Sequence, residues 1–165
     1  MSIREAMAYH EAGHAVVAIS LGIQVKKVTI KPTRDFHGRV THAPVLTARD
    51  IRRINEGSET PHTRDRMEKL AMVCLAGPMA QQRFKPRSWR DWHGASDFEH
   101  YGDIVLKLGG GGESLRLYGE LLTVWTESKL NLWWPTVELV AAELLECETL
   151  GCQDVGELMS RSVPE

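Results

Sequence analysis

Apolar residues recur along this chain mostly at intervals of three and four, the spacing of one helix face, and only briefly at intervals of two. The first periodic stretch begins almost at once. Ser2 followed by Glu5 forms a capping box, Ala6, Ala8, Ala12, Ala15 and Ala18 favour helix, and Val16, Val17, Ile19 and Leu21 bury its second half. Gly22 is a natural stop. Residues 25–32 then read as a short β-branched strand ended by Pro32, and residues 34–42 as a turn and second strand. The two make a small hairpin, with His37 and His42 expected as solvated residues on it.

Thr47-Ala-Arg-Asp50 is a second capping box, opening a short helix that Gly57 closes, and residues 58–63 read as a polar loop. A third helix is predicted from about Arg64, its apolar face formed by Met67, Leu70, Ala71, Val73, Cys74, Leu75 and Met79. Gly77-Pro78 should kink or interrupt it. Small residues at Ala76 and Gly77 would let another helix approach closely. A break at residues 85–88 leads through Trp89 and Trp92 to a helix starting near Asp97, capped by Ser96 or Asp97 and ended by the glycine run 109–112. That run lacks the Lys-Ser or Lys-Thr of a phosphate loop, so it reads as a flexible connector. Residues 114 to about 148 are helical in period, and Pro135 predicts two helices meeting near Asn131 or one kinked helix. Trp125, Trp133 and Trp134 read as core or interhelix packing. Gly151 should end this stretch, and a short helical turn over residues 155–159 closes the chain. The fold class is α+β, mainly α, in a single domain over residues 1–165.

Within the first helix stands His10-Glu11-Ala-Gly-His14. One helical turn separates the two histidines on one face, with about 5–6 Å between their Cβ atoms, so both imidazoles can coordinate one metal ion. Glu11 lies about 100° round the helix and can flank that metal as a general base. His-Glu-x-x-His on a helix is the signature of zinc-dependent peptide hydrolysis. A hydrolytic site needs a third protein ligand. The longer form of the motif, with Gly and His at fixed distances after His14, is excluded because Val17 and Ser20 stand there. Glu68, Asp97, Glu99, His100 and Asp103 are the candidates. His100 competes most directly with Asp97, lying three residues on along the same face.

Composition changes little in this picture. Of 165 residues, 42% are apolar and 25% charged, ordinary for a globular protein, and a net charge of −2 offers no case for nucleic acid. No stretch approaches the ~18 apolar residues of a membrane span, and no signal peptide precedes the first helix. Cys74, Cys147 and Cys152 are odd in number and lack CxxC spacing, which suggests reduced thiols in a cytoplasmic protein, two of them core residues.

Ala8-Tyr-His-Glu-Ala-Gly-His-Ala-Val-Val resembles the peptidase domain of the FtsH family of membrane-bound, ATP-dependent zinc proteases. Val28-Thr-Ile30 with the later Gly38 resembles that family's strand and turn. Leu75-Ala-Gly77-Pro-Met-Ala80 resembles its Gly-Gly-Arg-x-Ala-Glu segment. Gly94-Ala-Ser96-Asp97 resembles its Gly-Ala-Ser-Asn-Asp, with one residue fewer before the aspartate. Pro78 stands where the family has arginine and Gln81 where it has glutamate, which keeps a hydrogen-bonding group there but not its charge. Nothing resembles an ATPase loop.

The resemblance implies a helical zincin-like domain with a small β-hairpin after the first helix. It also implies a Zn²⁺ held by His10, His14 and Asp97, and a metalloendopeptidase in which Glu11 is the base. The expected partner is a peptide or unfolded protein, with a separate ATPase or self-association as further possibilities. The alternative is a metal-binding recognition or regulatory module that no longer cuts.

Overall fold

The computed structural model describes residues 3–32, 38–86 and 94–162. It is a helical protein with one small sheet. Helix α1 (Ile3–Ser20) is followed by β1 (Val25–Thr29) and β2 (Arg39–His42), then by α2 (Ala48–Glu56), α3 (Pro61–Phe84), α4 (Ala95–Gly109) and α5 (Gly112–Cys147). Strand β3 (Thr149–Gly151) and α6 (Cys152–Arg161) close the chain. The predicted class and hairpin are both present, with β1 and β2 antiparallel and a bulge between Val25 and Lys27. The sheet order is β2-β1-β3, so the first strand is central.

Helix α1 is the axis of the molecule. Ala8, Ala12, Ala15, Val16, Val17 and Ala18 are fully buried, packed with Val25 and Val28 of β1, Ala76 and Ala80 of α3 and Val137, Val140 and Leu144 of α5. The small residues expected to admit a neighbouring helix on α3 receive α1. A Cβ on Gly13 would stand 2.5 Å from Ala80 Cβ and 2.6 Å from the Ala76 carbonyl oxygen, so this crossing is as close as backbones allow.

A second cluster beneath α4 gathers Met67, Ala71, Met72, Val105, Leu108 and Leu122. Between α2 and α3 a buried polar knot replaces apolar packing. Asp50 accepts hydrogen bonds from Thr47, Thr63 and Arg66, while Thr47 caps α2 as its sequence predicts.

Several expectations are corrected. Helix α3 starts at Pro61, capped by Thr60, rather than near Arg64, because proline at the first helical position forgoes a donor that would have no partner there. It runs unbroken through Gly77-Pro78 to Phe84, held between α1 and α5. Of the two forms expected around Pro135, the structure has the single helix, α5. That ring sits on the exposed side of the helix.

The helix ends at Glu148, which takes the left-handed conformation at φ 61°, and not at Gly151. Gly151 belongs instead to β3, a strand the sequence pattern does not announce. The closing helix spans ten residues rather than one short turn. Trp125 is exposed, and only Trp133 and Trp134 pack against the core. Cys147 and Cys152 are exposed as well, leaving Cys74 as the partly buried thiol; all three are free. His42 is half-buried, its Nδ1 donating to the Ala43 carbonyl. Ser2, His37, Trp89 and Trp92 lie outside the described residues. Among those described, no helix is long and apolar enough to cross a membrane.

Candidate metal centre

The middle of α1 is buried on every side, and its polar side chains are buried with it: His10 is 5% exposed, Glu11 4% and His14 8%. A buried imidazole must satisfy two ring nitrogens. His10 Nδ1 donates to Gln81 Oε1 at 2.9 Å, and His14 Nδ1 donates to the Val73 carbonyl at 2.7 Å, both acceptors belonging to α3. With the hydrogens committed outward in this way, each neutral ring turns its bare Nε2 inward. The two Nε2 atoms stand 3.0 Å apart.

Into the same point comes the carboxylate of Asp97, third residue of α4. Its oxygens lie 3.1 Å from His10 Nε2 and 3.5 Å from His14 Nε2. The first turn of α4 therefore sends its aspartate across to α1. Its cap is Gly94, with no side-chain bond, so neither Ser96 nor Asp97 caps the helix as expected. Three acceptors without a donor repel one another in a buried space unless a cation or a proton sits among them.

Their spacing fits a metal. A tetrahedral ion with bonds of about 2.0–2.1 Å sets its ligands about 3.3 Å apart. The observed 3.0, 3.1 and 3.5 Å bracket that value, and all the ligand atoms lie within 4.8 Å of one another. Two imidazoles and a carboxylate suit Zn²⁺ and its first-row neighbours.

The electrostatics agree with the geometry. Burial alone would raise Asp97, but the hydrogen bonds and charges of His10 and His14 hold it well below the usual carboxylate range. Burial works against a charged His14, yet the Asp97 bond and charge, the Glu11 charge and the Val73 carbonyl together push it above its ordinary value. His14 thus holds a proton more firmly than an exposed histidine does. Glu11 is raised, first by burial, with the two histidines pulling the other way. Cys74, next to Val73 in the chain, is pushed up to about 12 by burial and by Asp97, so it stands as a neutral thiol.

Two glycines make the arrangement possible. A Cβ on Gly77 would lie 2.2 Å from His14 Nε2, so the imidazole occupies the space that a side chain would take. A Cβ on Gly38, just before β2, would lie 2.5 Å from Glu11 Oε1. Glu11 therefore faces the start of the edge strand, and among the described residues none hydrogen-bonds its carboxylate.

Of the candidate third ligands, Asp97 alone stands with the histidines. Glu68 accepts a hydrogen bond from Tyr118 on α5, and Glu99, His100 and Asp103 are exposed on the outer side of α4. The roles of Val73 and Gly77 were not legible beforehand. A backbone carbonyl leaves no mark in a sequence, and Gly77 reads equally well as a packing residue. Comparison of the chain with protein-family models returns no match, and comparison with curated proteins returns none, so the chemistry of the site has to come from its own geometry.

Proposed function

We propose that the protein is a zinc-dependent metallopeptidase, with His10, His14 and Asp97 as metal ligands and Glu11 as general base. One observation carries this reading. Three acceptors on two helices, two buried imidazoles and the partly buried Asp97, converge at metal-ligand spacing, and a second carboxylate beside them, the buried Glu11, has no hydrogen-bond partner among the described residues. A purely structural zinc site has no use for that extra buried carboxylate. When bound, zinc supplies Lewis acidity, polarising a carbonyl and bringing water towards a pKa of ~7.

The chain's own residues do the rest. Gln81 and Val73 fix the ring orientations through Nδ1, so both Nε2 lone pairs stay aimed at one point. Glu11 takes the proton from the attacking water at its carboxylate and delivers it to the leaving amine nitrogen, a shuttle within reach of one buried group. Burial keeps bulk water from competing for that proton. Strand β2 pairs with β1 on one side only. Its other edge starts beside Glu11 at Gly38, so an extended peptide can add to it by main-chain hydrogen bonds. The likeness of these segments to the FtsH peptidase domain supports the same reading, as a proteolytic unit acting in the cytoplasm on unfolded chains.

The test is hydrolysis of a flexible casein-like substrate by zinc-loaded protein, with and without chelator, and by Glu11→Gln. The reading expects activity that chelator removes and zinc restores, and none from Glu11→Gln with its metal still bound. Metal binding without cleavage under all conditions would instead support a recognition or regulatory module.

A further inference from the structure

Helix α5 carries an apolar face that nothing in the described structure covers. Leu117, Leu121, Val124, Trp125, Leu132 and Leu139 are each between 40 and 56% exposed, on the side opposite the buried Leu122, Thr126, Leu130 and Val137. Over 22 residues the stripe is about 33 Å long. Its order is what matters. Taking Ser128 as centre, Val124 and Leu132 lie four residues to either side, Leu121 and Pro135 seven, and Leu117 and Leu139 eleven. Offsets of four, seven and eleven all return to one face of a 3.6-residue helix. Apart from Trp125, whose mirror position is Asn131, the stripe therefore reads the same in both directions.

We infer that α5 is the interface of a twofold-symmetric dimer, in which the helices of two copies pack antiparallel across Ser128. A twofold axis brings each patch against itself, so an antiparallel pair matches residue 128 − n with 128 + n of the other copy. Leu117 meets Leu139, Val124 meets Leu132, and Leu121 meets the ring of Pro135. At the axis the small Ser128 faces its own copy, which lets the backbones approach. Beside the stripe, a groove floored by Leu21 and Met72 gives the bulky Trp125 and Leu132 a second apolar wall.

Size and charge favour a second copy over other occupants. Six half-exposed large side chains present roughly 500 Å² of apolar surface, most of the ~800 Å² per partner that a stable interface buries. A helix that lies on an anionic membrane needs a cationic rim. Here the flanks mix Asp65 and Glu68 with Lys69 and Lys129, and Glu127 and Glu138 lie on the polar face. The net charge of −2 opposes pairing only weakly.

Sedimentation equilibrium of the full chain tests this directly. The expected result is a dimer with Kd ~10 µM or tighter. Leu132→Glu or Val124→Glu should make it monomeric at about 50 µM, with unchanged far-UV circular dichroism and zinc content. The geometry is read by cross-linking in a Cys147→Ser, Cys152→Ser background. There Ser128→Cys should give a disulfide-linked dimer under mild oxidant, and Leu117→Cys, which faces Leu139, should give far less. A monomer at the highest concentration, a dimer indifferent to both glutamate variants, or cross-linking through Leu117→Cys but not Ser128→Cys would each overturn the inference. So would sedimentation with phosphatidylglycerol vesicles by a chain that stays monomeric.

Discussion

Gly77→Ala changes no ligand and adds one methyl group, yet it should empty the metal centre. At that position a Cβ would stand 2.2 Å from His14 Nε2, 2.5 Å from Cδ2 and 2.6 Å from Cε1. Ordinary contact begins at 3.4 Å, so the ring must retreat by 3.4 − 2.2 = 1.2 Å. The helices cannot part to absorb this, because Gly13 already brings α1 against Ala76 and Ala80 one turn away. Metal–ligand distances hold to within about 0.2 Å, so a displacement six times larger removes His14 from coordination. Loss of an outer partner to a ligand weakens binding about 10–100-fold, so loss of the ligand itself should cost at least ~100-fold, or ~2.7 kcal/mol.

Folding should survive. Alanine is favoured over glycine in a helix by up to ~1 kcal/mol, against an overpacking cost of ~1–3 kcal/mol. Competition with a chromophoric chelator reads zinc affinity, and thermal melting reads the fold. Gly102→Ala on α4, which meets nothing within 4 Å, serves as control and should bind zinc normally. A Gly77→Ala protein with affinity within threefold of wild type would refute the packing argument.

Three other outcomes follow from the same geometry. Asp97→Asn should weaken zinc binding by at least tenfold in the same competition assay, and His100→Ala should leave it unchanged, since His100 is exposed and outside the cluster. Gln81→Ala removes the acceptor of His10 Nδ1 and should lower zinc affinity about 10–100-fold without abolishing it, as isothermal titration would show. The pH dependence should reverse with metal. His14 is raised in the folded chain, so without zinc its contribution to stability is full below its unfolded value of about 6.5 and fades as pH rises through the folded value. Glu11 acts in the same direction. Asp97, lowered, contributes above its usual range and fades only as pH falls through its depressed value. The melting temperature of metal-free protein should therefore fall as pH rises above about 6.5, while zinc affinity rises as the competing proton leaves.

Much of this architecture is written in local signals. Thr47 and Asp50 cap α2 as their spacing requires, Gly57 ends it in the left-handed conformation, and the valines and alanines of α1 are buried on the predicted face. His10 and His14 share one turn, and Asp97 stands in the first turn of its helix. What escaped the sequence is tertiary. Proline in a sequence signals a kink or an interruption at Pro78, and two helices or one kinked helix at Pro135; α3 runs on through the first, packed between its neighbours, and α5 is a single helix across the second. Strand β3 is three residues long and exists because β1 offers a free edge to it, with Leu150 opposite Val28. The carbonyl of Val73 became an acceptor for His14 only when two helices crossed at Gly13. Trp125 reads from the sequence as core or interhelix packing, but the face it belongs to points outward.

The central claim is that one metal ion is shared by α1 and α4 at the head of the edge strand. A crystal of zinc-loaded protein, measured on either side of the zinc absorption edge, tests it most directly. The account predicts one strong anomalous peak about 2.0–2.1 Å from His10 Nε2, His14 Nε2 and an Asp97 carboxylate oxygen, with Glu11 beside it and not bonded to it. A zinc-loaded crystal with no peak between α1 and α4, or with its peak on His100, Asp103 or an exposed cysteine, would contradict it.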